Sequence, residues 1–222
     1  MANKLKDAYG VLWDMDGVLV DTGDLHYAAW LEVLDEYDID FPREQFDASF
    51  GMNNRALLTM LFSRELEPEL YAVINERKEL RVLELAEGRI QPMSGVVTWL
   101  ERLQVAGYRQ AIASSAPLIN IEAMVETMGI LTYFDAVVSG IEMPGKPEPD
   151  VFLTAASQID VTPANCVVVE DAIPGVEGAK RAGMKCVAVT TTNTAEALTN
   201  ADIIVDSLTE LPENIFERLL QA

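Results

Sequence analysis

The sequence predicts an α/β protein: a doubly wound, Rossmann-like parallel sheet forms the core, and an α-helical cap domain is inserted into it. Three observations support this prediction. An apolar run of strand length, residues 9–13, ends abruptly in Asp14-Met15-Asp16-Gly17. Residues 22–90 then show helical spacing without a strand pattern. From residue 92 onward, short apolar runs alternate with amphipathic stretches, which is typical of a parallel sheet covered on both faces.

Six apolar runs are the predicted strands, at residues 9–13, 109–113, 136–138, 166–169, 185–189 and 203–205. They lack the alternation of a half-exposed strand, so we expect both faces of the sheet to be buried. The core helices are predicted near 95–106, 118–128, 149–157, 174–182 and 212–220, and the cap helices near 22–37, 55–64 and 68–87. We therefore assign residues 1–20 and 92–222 to the catalytic core and residues 22–90 to the cap.

The composition limits the classes of protein and of partner. The 222 residues are 50% hydrophobic, with 16 Lys and Arg against 36 Asp and Glu, a net charge of −20. This charge disfavours nucleic acid and anionic membranes as partners, because both repel an acidic body. The sequence has neither a bilayer-length apolar run nor a secretory signal pattern, so we expect a cytoplasmic protein. Cys166 and Cys186 lie in apolar strands and are predicted to be buried free thiols.

Polar side chains follow four of the predicted strands. They are Asp14 and Asp16, Ser114 and Ser115, Lys146, and Glu170 with Asp171. Each group alone is also typical of a turn or a helix start. Together, however, the parallel strands would bring them to one edge of the sheet. Carboxylates suit Mg²⁺, and lysine and hydroxyl donors suit phosphoryl oxygens, so this set predicts magnesium-assisted phosphoryl transfer.

Four motifs, taken in order, resemble those of the haloacid dehalogenase superfamily, and more narrowly its β-phosphoglucomutase-like phosphatases. They are Asp14-Met15-Asp16-Gly17-Val18, Ala113-Ser114-Ser115, Gly145-Lys146-Pro147-Glu148-Pro149-Asp150 and Val169-Glu170-Asp171-Ala172-Ile173-Pro174-Gly175. The resemblance covers essentially the whole chain and includes a helical cap after the first motif. It therefore implies the fold that the periodicity predicts independently.

The resemblance also implies roles for the motif residues. Asp14 would attack phosphorus and become an aspartyl phosphate, while Asp16 would protonate the leaving oxygen and later activate water. Mg²⁺ would be held by Asp14, the backbone carbonyl of Asp16, and Asp171, with Glu170 in or next to the coordination sphere. Ser114, Ser115 and Lys146 would bind the transferring phosphoryl group.

Four cap residues are candidates for substrate contact or closure. In similar mutases, the positions that match Thr22 and His26 help to close the site and position Asp16; a partly buried structural role for His26 is an equal alternative. Arg55 ends a segment, residues 51–55, that resembles the family's specificity loop, where an arginine can meet a second phosphate. Lys78 is a further candidate, although a surface lysine on an acidic helix is the simpler interpretation.

We expect a Mg²⁺-dependent phosphatase that acts on a small phosphorylated metabolite, in particular a sugar phosphate. The acids Asp16, Glu170 and Asp171 provide for an oxygen leaving group and a metal. Resembling mutases have polar residues where this chain has Ala116-Pro117-Leu118, and a lysine at the position of Phe50, so hydrolysis is favoured over the alternative, a β-phosphoglucomutase. A phosphoacceptor signalling module is the alternative from another class. We expect a monomer or a weak homodimer.

Overall fold

A single parallel sheet forms the centre of the molecule. The computed structural model describes residues 8–50 and 52–221, so the first seven residues predicted for the core and Gly51 of the cap segment lie outside the described residues. The strands are β1 Gly10–Trp13, β2 Arg109–Ser114, β3 Ala136–Ser139, β4 Cys166–Glu170, β5 Lys185–Val189 and β6 Ile203–Val205. Their order is β3-β2-β1-β4-β5-β6, and every neighbouring pair is parallel. The predicted doubly wound α/β core is confirmed.

Helices cover the sheet and build the cap. In the described part of the chain they are α1 Gly23–Asp35, α2 Arg43–Ser49, α3 Asn54–Phe62, α4 Pro68–Ala86, α5 Val96–Val105, α6 Leu118–Thr127, α7 Asp150–Gln158, α8 Ile173–Arg181 and α9 Ile215–Gln221. Helices α1 to α4 form the cap, and α5 to α9 belong to the core. Among the residues described, no helix has the length and apolar character needed to cross a membrane.

The sheet is buried on both faces, which explains why its strands lack alternation. Trp13 and Val169 pack into one apolar cluster with α5 and α6, whereas Leu12 and Val168 pack into another with α7 and α8. Cys166 and Cys186 are buried and free, as predicted.

The cap has an apolar core of its own. Trp30 and Leu34 of α1 pack there against Leu58 of α3 and Ile74 of α4. The sequence pattern does not predict α2, because this seven-residue helix has one buried large apolar side chain, Phe46, and a helical period cannot show in a single position.

The chain leaves the core and returns to it at adjacent points. Val20 and Pro92 form an antiparallel bridge, and Met93 N–H donates to the Leu19 carbonyl at 2.9 Å. This side-by-side crossing supports the proposed division of the chain into residues 1–20 and 92–222 on one side and 22–90 on the other. It also places the cap above the carboxyl end of β1, one of the two central strands, where a ligand in an open parallel sheet binds.

Candidate active site

The first motif forms a tight turn at the end of β1, pressed against the fourth motif. The backbone N–H of Asp14 donates to the Val169 carbonyl of β4 at 3.0 Å. Gly17 follows with φ of +79°, and a Cβ there would overlap the carboxylate of Asp171. Glycine is therefore required at this position by both the backbone conformation and the close approach. The Asp-x-Asp-Gly turn therefore places the acids of the first motif, Asp14 and Asp16, beside those of the fourth, Glu170 and Asp171.

Lys146 joins two carboxylates from different strand ends. Its Nζ donates to Asp14 Oδ1 at 2.5 Å and to Glu170 Oε1 at 2.6 Å, and its side chain is 4% exposed. Burial lowers the pKa of Lys146, but the charges of Asp14 and Glu170 outweigh it and raise that pKa above its ordinary value. Lys146 is therefore a fixed cation at the base of the site.

Three acids form a candidate metal centre. One oxygen from each of Asp14, Glu170 and Asp171 lies within 4.8 Å of the others. Burial, with added repulsion from Glu170 and Asp16, raises the pKa of Asp14 to about 8 despite Lys146. Burial, with Glu170 and Asp14, also raises the pKa of Asp171 well above its ordinary value. A hard divalent cation would relieve this crowding of buried oxygen ligands, so the donor set fits Mg²⁺.

The start of α8 holds Glu170 in place. Its Oε2 accepts hydrogen bonds from the backbone N–H groups of Asp171 at 2.8 Å and Ala172 at 2.9 Å. A Cβ at Gly175 would overlap the Glu170 carboxylate, so the small residue lets the carboxylate reach the helix. These donors stabilise a fully buried charge that would otherwise be costly.

Two further residues, neither of them predicted from the sequence, hold Asp171. The Thr192 hydroxyl donates to Asp171 Oδ2, and the Asn193 side-chain amide donates to the Asp171 carbonyl at 3.1 Å. Both residues follow β5, whose carboxyl end lies at the same edge of the sheet. The sequence signal for both is their position among the polar residues that follow the fifth strand.

Asp16 faces the cap and is held by two residues at its entrance. Thr22 donates its hydroxyl to Asp16 Oδ1, and His26 Nε2 lies 3.3 Å from the same oxygen. Burial raises the pKa of Asp16, but His26 and Thr22, helped by the charge of Lys78, outweigh it and lower that pKa. The two cap residues named from the sequence thus contact Asp16 directly and favour its ionised form.

The second motif brings Ser114 and Ser115 to the same cleft. Ser114 ends β2, is buried, and its Oγ accepts from the backbone N–H of Ala116 at 3.1 Å. Ala116 and Phe50 also line the cleft. Two of the positions at which the resemblance leads us to expect polar groups, Ala116 and Phe50, are therefore apolar parts of the cleft wall in this protein.

The cap closes over this edge but does not bring every predicted residue to it. Lys78 is buried and lines the cleft, so the surface interpretation of this lysine is wrong. Arg55 instead lies on the exposed side of α3, where its guanidinium stacks on the Tyr71 ring at 3.9 Å. The expectation that Arg55 meets the substrate is corrected, because its helix turns it away from the cleft. Asn53 packs so closely on Gly145 that a Cβ there would overlap it.

The comparisons with known proteins agree with this arrangement. Residues 11–189 match the family described as haloacid dehalogenase-like hydrolase. The chain is 29% identical to β-phosphoglucomutase of Bacillus subtilis over 211 residues, covering 90% of each chain. It is 34% identical to fructose-1-phosphate phosphatase YqaB of Escherichia coli over 187 residues, or 81% of this chain and 95% of the other.

A solved structure gives the same result. The structure of CbbY from Rhodobacter sphaeroides in complex with phosphate superposes with a TM-score of 0.82 at 28% identity, covering 92% of this chain and 96% of that one. The chain thus matches a mutase and a phosphatase over most of their sequences, and it shares its fold with CbbY.

Proposed function

The chain belongs to the haloacid dehalogenase-like hydrolases, and on this premise we propose that it is a Mg²⁺-dependent phosphatase of a small phosphorylated metabolite, in particular a sugar phosphate. The family includes sugar-phosphate phosphatases and phosphomutases. The observation on which the proposal depends is the meeting of Asp14, Asp16, Lys146 and Asp171 around one cleft.

In the first step, an Asp14 carboxylate oxygen attacks phosphorus. The new O–P bond makes an aspartyl phosphate, while the P–O bond to the substrate breaks and its electrons remain on the leaving oxygen. Lys146 and Ser114 line the cleft beside Asp14, where their donors stabilise charge on the phosphoryl oxygens. Lys146 lowers the pKa of Asp14 and so offsets part of the effect of burial, which on balance raises that pKa to about 8.

Asp16 moves the protons in both steps. It donates a proton to the leaving oxygen, and then accepts one from the water that attacks phosphorus and releases Asp14. His26 and Thr22 favour the ionised form of Asp16, which the second step needs. A phosphoryl dianion bound nearby raises the pKa of Asp16, because it adds a like charge, and so favours the protonated form for the first step.

The acids at the ends of β1 and β4 would hold the metal. Asp14, Asp171 and Glu170 would supply carboxylate oxygens. The resemblance to the family implies that the backbone carbonyl of Asp16 would add a further ligand. When bound, Mg²⁺ neutralises negative charge on the phosphoryl oxygens.

We favour hydrolysis over the mutase reaction. A mutase has to hold a bisphosphate in two orientations, which requires donors at both ends of the cleft. Phe50 and Ala116 offer no side-chain donor there, and Arg55 lies outside the cleft. Lys78 does line the cleft, but its charge is paired with Glu79. Losing several charge-assisted hydrogen bonds, each worth about 1.5–3 kcal/mol, would leave the second phosphate weakly held.

A phosphate-release screen tests the proposal. The protein with Mg²⁺ should release inorganic phosphate from at least one sugar or polyol monophosphate, and chelation of Mg²⁺ should stop the reaction. Asp35→Asn, which removes a charge from an exposed site on α1, serves as the control for Asp14→Asn. In a coupled assay with glucose 1-phosphate and its bisphosphate activator, formation of glucose 6-phosphate without phosphate release would identify a mutase instead.

A further inference from the structure

A carboxylate that the proposed mechanism does not use, Glu79, lines the same cleft from the cap side. Glu79 is 6% exposed and belongs to α4. An acidic side chain is unexpected in a cleft for phosphate esters, because it adds a like charge to that of the substrate.

Three side chains from three helices hold the Glu79 carboxylate. Its Oε1 accepts from Lys78 Nζ at 2.7 Å and from Asn54 Nδ2 of α3 at 2.7 Å. Its Oε2 accepts from Asn120 Nδ2 of α6 at 2.7 Å. A carboxylate has about four lone-pair sites, so about one acceptor site is left for a ligand. The position of this site is fixed by the protein.

The ion pair with Glu79 changes what Lys78 can do. Lys78 is 2% exposed, lies 5.3 Å above the Trp30 ring, and makes its salt bridge within the described residues to Glu79. Because Glu79 balances its charge, Lys78 offers ammonium N–H donors from the cap side of the cleft without adding a net positive charge there. Hydroxyl groups can use such donors, whereas a second phosphate would also meet the Glu79 carboxylate.

We propose that Glu79 is a specificity-determining residue, which selects esters whose non-transferring end presents neutral hydroxyl groups and disfavours those with a second phosphate. This inference rests on the proposed function and names the substrate class: monophosphates of polyhydroxylated compounds. Such specificity comes from repulsion of a second phosphate as much as from hydrogen bonds to hydroxyl groups.

Hydrogen bonds from Asn120 fix the position of Glu79 relative to the core. Asn120 belongs to the core, is buried, and donates to both the carboxylate and the backbone carbonyl of Glu79. Glu79 has this partner only while α4 lies against α6. The contact between α4 and α6 therefore holds the selecting carboxylate in position at the cleft.

Two probes that differ by one phosphate, fructose 1-phosphate and fructose 1,6-bisphosphate, test the inference. In the wild-type protein, kcat/KM for phosphate release should be at least about tenfold lower for the bisphosphate. Glu79→Gln keeps the size of the side chain, removes its charge and releases Lys78. The bisphosphate-to-monophosphate ratio of kcat/KM should rise about tenfold or more in this variant.

Two further variants separate charge selection from a structural role. Glu76→Gln removes an exposed charge from the same helix and should leave the ratio unchanged. In the double variant Lys78→Gln with Glu79→Gln, the bisphosphate-to-monophosphate ratio of kcat/KM should not rise, because the rise requires the ammonium group of Lys78. An equal loss of activity on both probes in Glu79→Gln would overturn the inference and indicate a structural residue.

The wild-type comparison can overturn the inference even if the variants do not fold. Equal turnover of the two probes by the wild-type protein would overturn the role of Glu79 while leaving the phosphatase intact. No phosphate release from any monophosphate would instead contradict the proposed function, and the specificity inference with it.

Discussion

The ammonium of Lys146 donates a hydrogen bond to the Asp14 carboxylate at 2.5 Å, although 132 positions separate the two residues along the chain. The same ammonium contacts Glu170 at 2.6 Å. Burial on its own would drive Asp14 toward its neutral form, which cannot attack phosphorus. Lys146 therefore links the folding of the third motif to the reactivity of the first.

Replacing Asp14 by Asn should abolish phosphate release while leaving the fold intact. The amide is nearly the same size and is a far weaker nucleophile, and Lys146 keeps its bond to Glu170. Phosphate release and circular dichroism would be measured on this variant and on Asp35→Asn. Residual activity above about one thousandth of wild type would contradict covalent catalysis by Asp14.

Replacing Asp16 by Ala should slow turnover of sugar monophosphates by about 10²-fold or more, because both proton transfers are lost. An ester with a good leaving group needs no acid in the first step. With p-nitrophenyl phosphate, the variant should therefore release about one nitrophenolate per protein in a burst, followed by slow turnover. Rapid-mixing absorbance measures the burst. Equal losses on both types of ester, without a burst, would exclude the dual role of Asp16.

Much of the core and its rim could be predicted from the sequence, because each buried strand ends sharply in polar residues. The residues that lie at or after the carboxyl ends of four strands meet at one edge of the sheet once the strands are parallel. They are Asp14, Ser114, Lys146 and Glu170. This inference needs local pattern and topology, and no detail of packing.

The inner face of the cap could not be predicted in the same way. Lys78 and Arg55 are both basic residues on cap helices, yet one is buried in the cleft and the other stacks on Tyr71. The side of a helix that faces the site depends on how α3 and α4 pack against α1 and α6. In the sequence, Glu79 is one more acid on an acidic helix, and its partner Asn120 is 41 positions away.

Replacing Gly175 by Ala should destabilise the protein and impair the metal centre together. The added Cβ would overlap the Glu170 carboxylate, which has to move away from the backbone donors at the start of α8. Forcing an extra methyl group into a packed site costs about 1–3 kcal/mol in the free energy of unfolding. Urea denaturation measures this loss. Gly183→Ala is a comparison at an open site, although its φ of +75° also strains an alanine.

For Gly175→Ala we further expect weaker activation by Mg²⁺, since Glu170 belongs to the acid cluster. Gly183→Ala should lose stability without a change in Mg²⁺ dependence. If Gly175→Ala has the stability and the Mg²⁺ dependence of the wild-type protein, the close packing of Glu170 on α8 is wrong.

Binding of Mg²⁺ should strengthen as the pH rises from about 6 to about 8. Burial raises the pKa of Asp14 to about 8, so below that pH the metal-free site holds a proton that Mg²⁺ has to displace. Asp171, whose pKa burial and the neighbouring acids also raise, adds to this dependence on pH. Calorimetric titration with MgCl₂ in two buffers of different ionisation enthalpy measures both the affinity and the protons released. Asp171→Asn, which removes one acid of the cluster, should bind Mg²⁺ more weakly throughout this range. An affinity that does not change between pH 6 and 8, with no proton release, would show that Asp14 is already ionised before the metal binds.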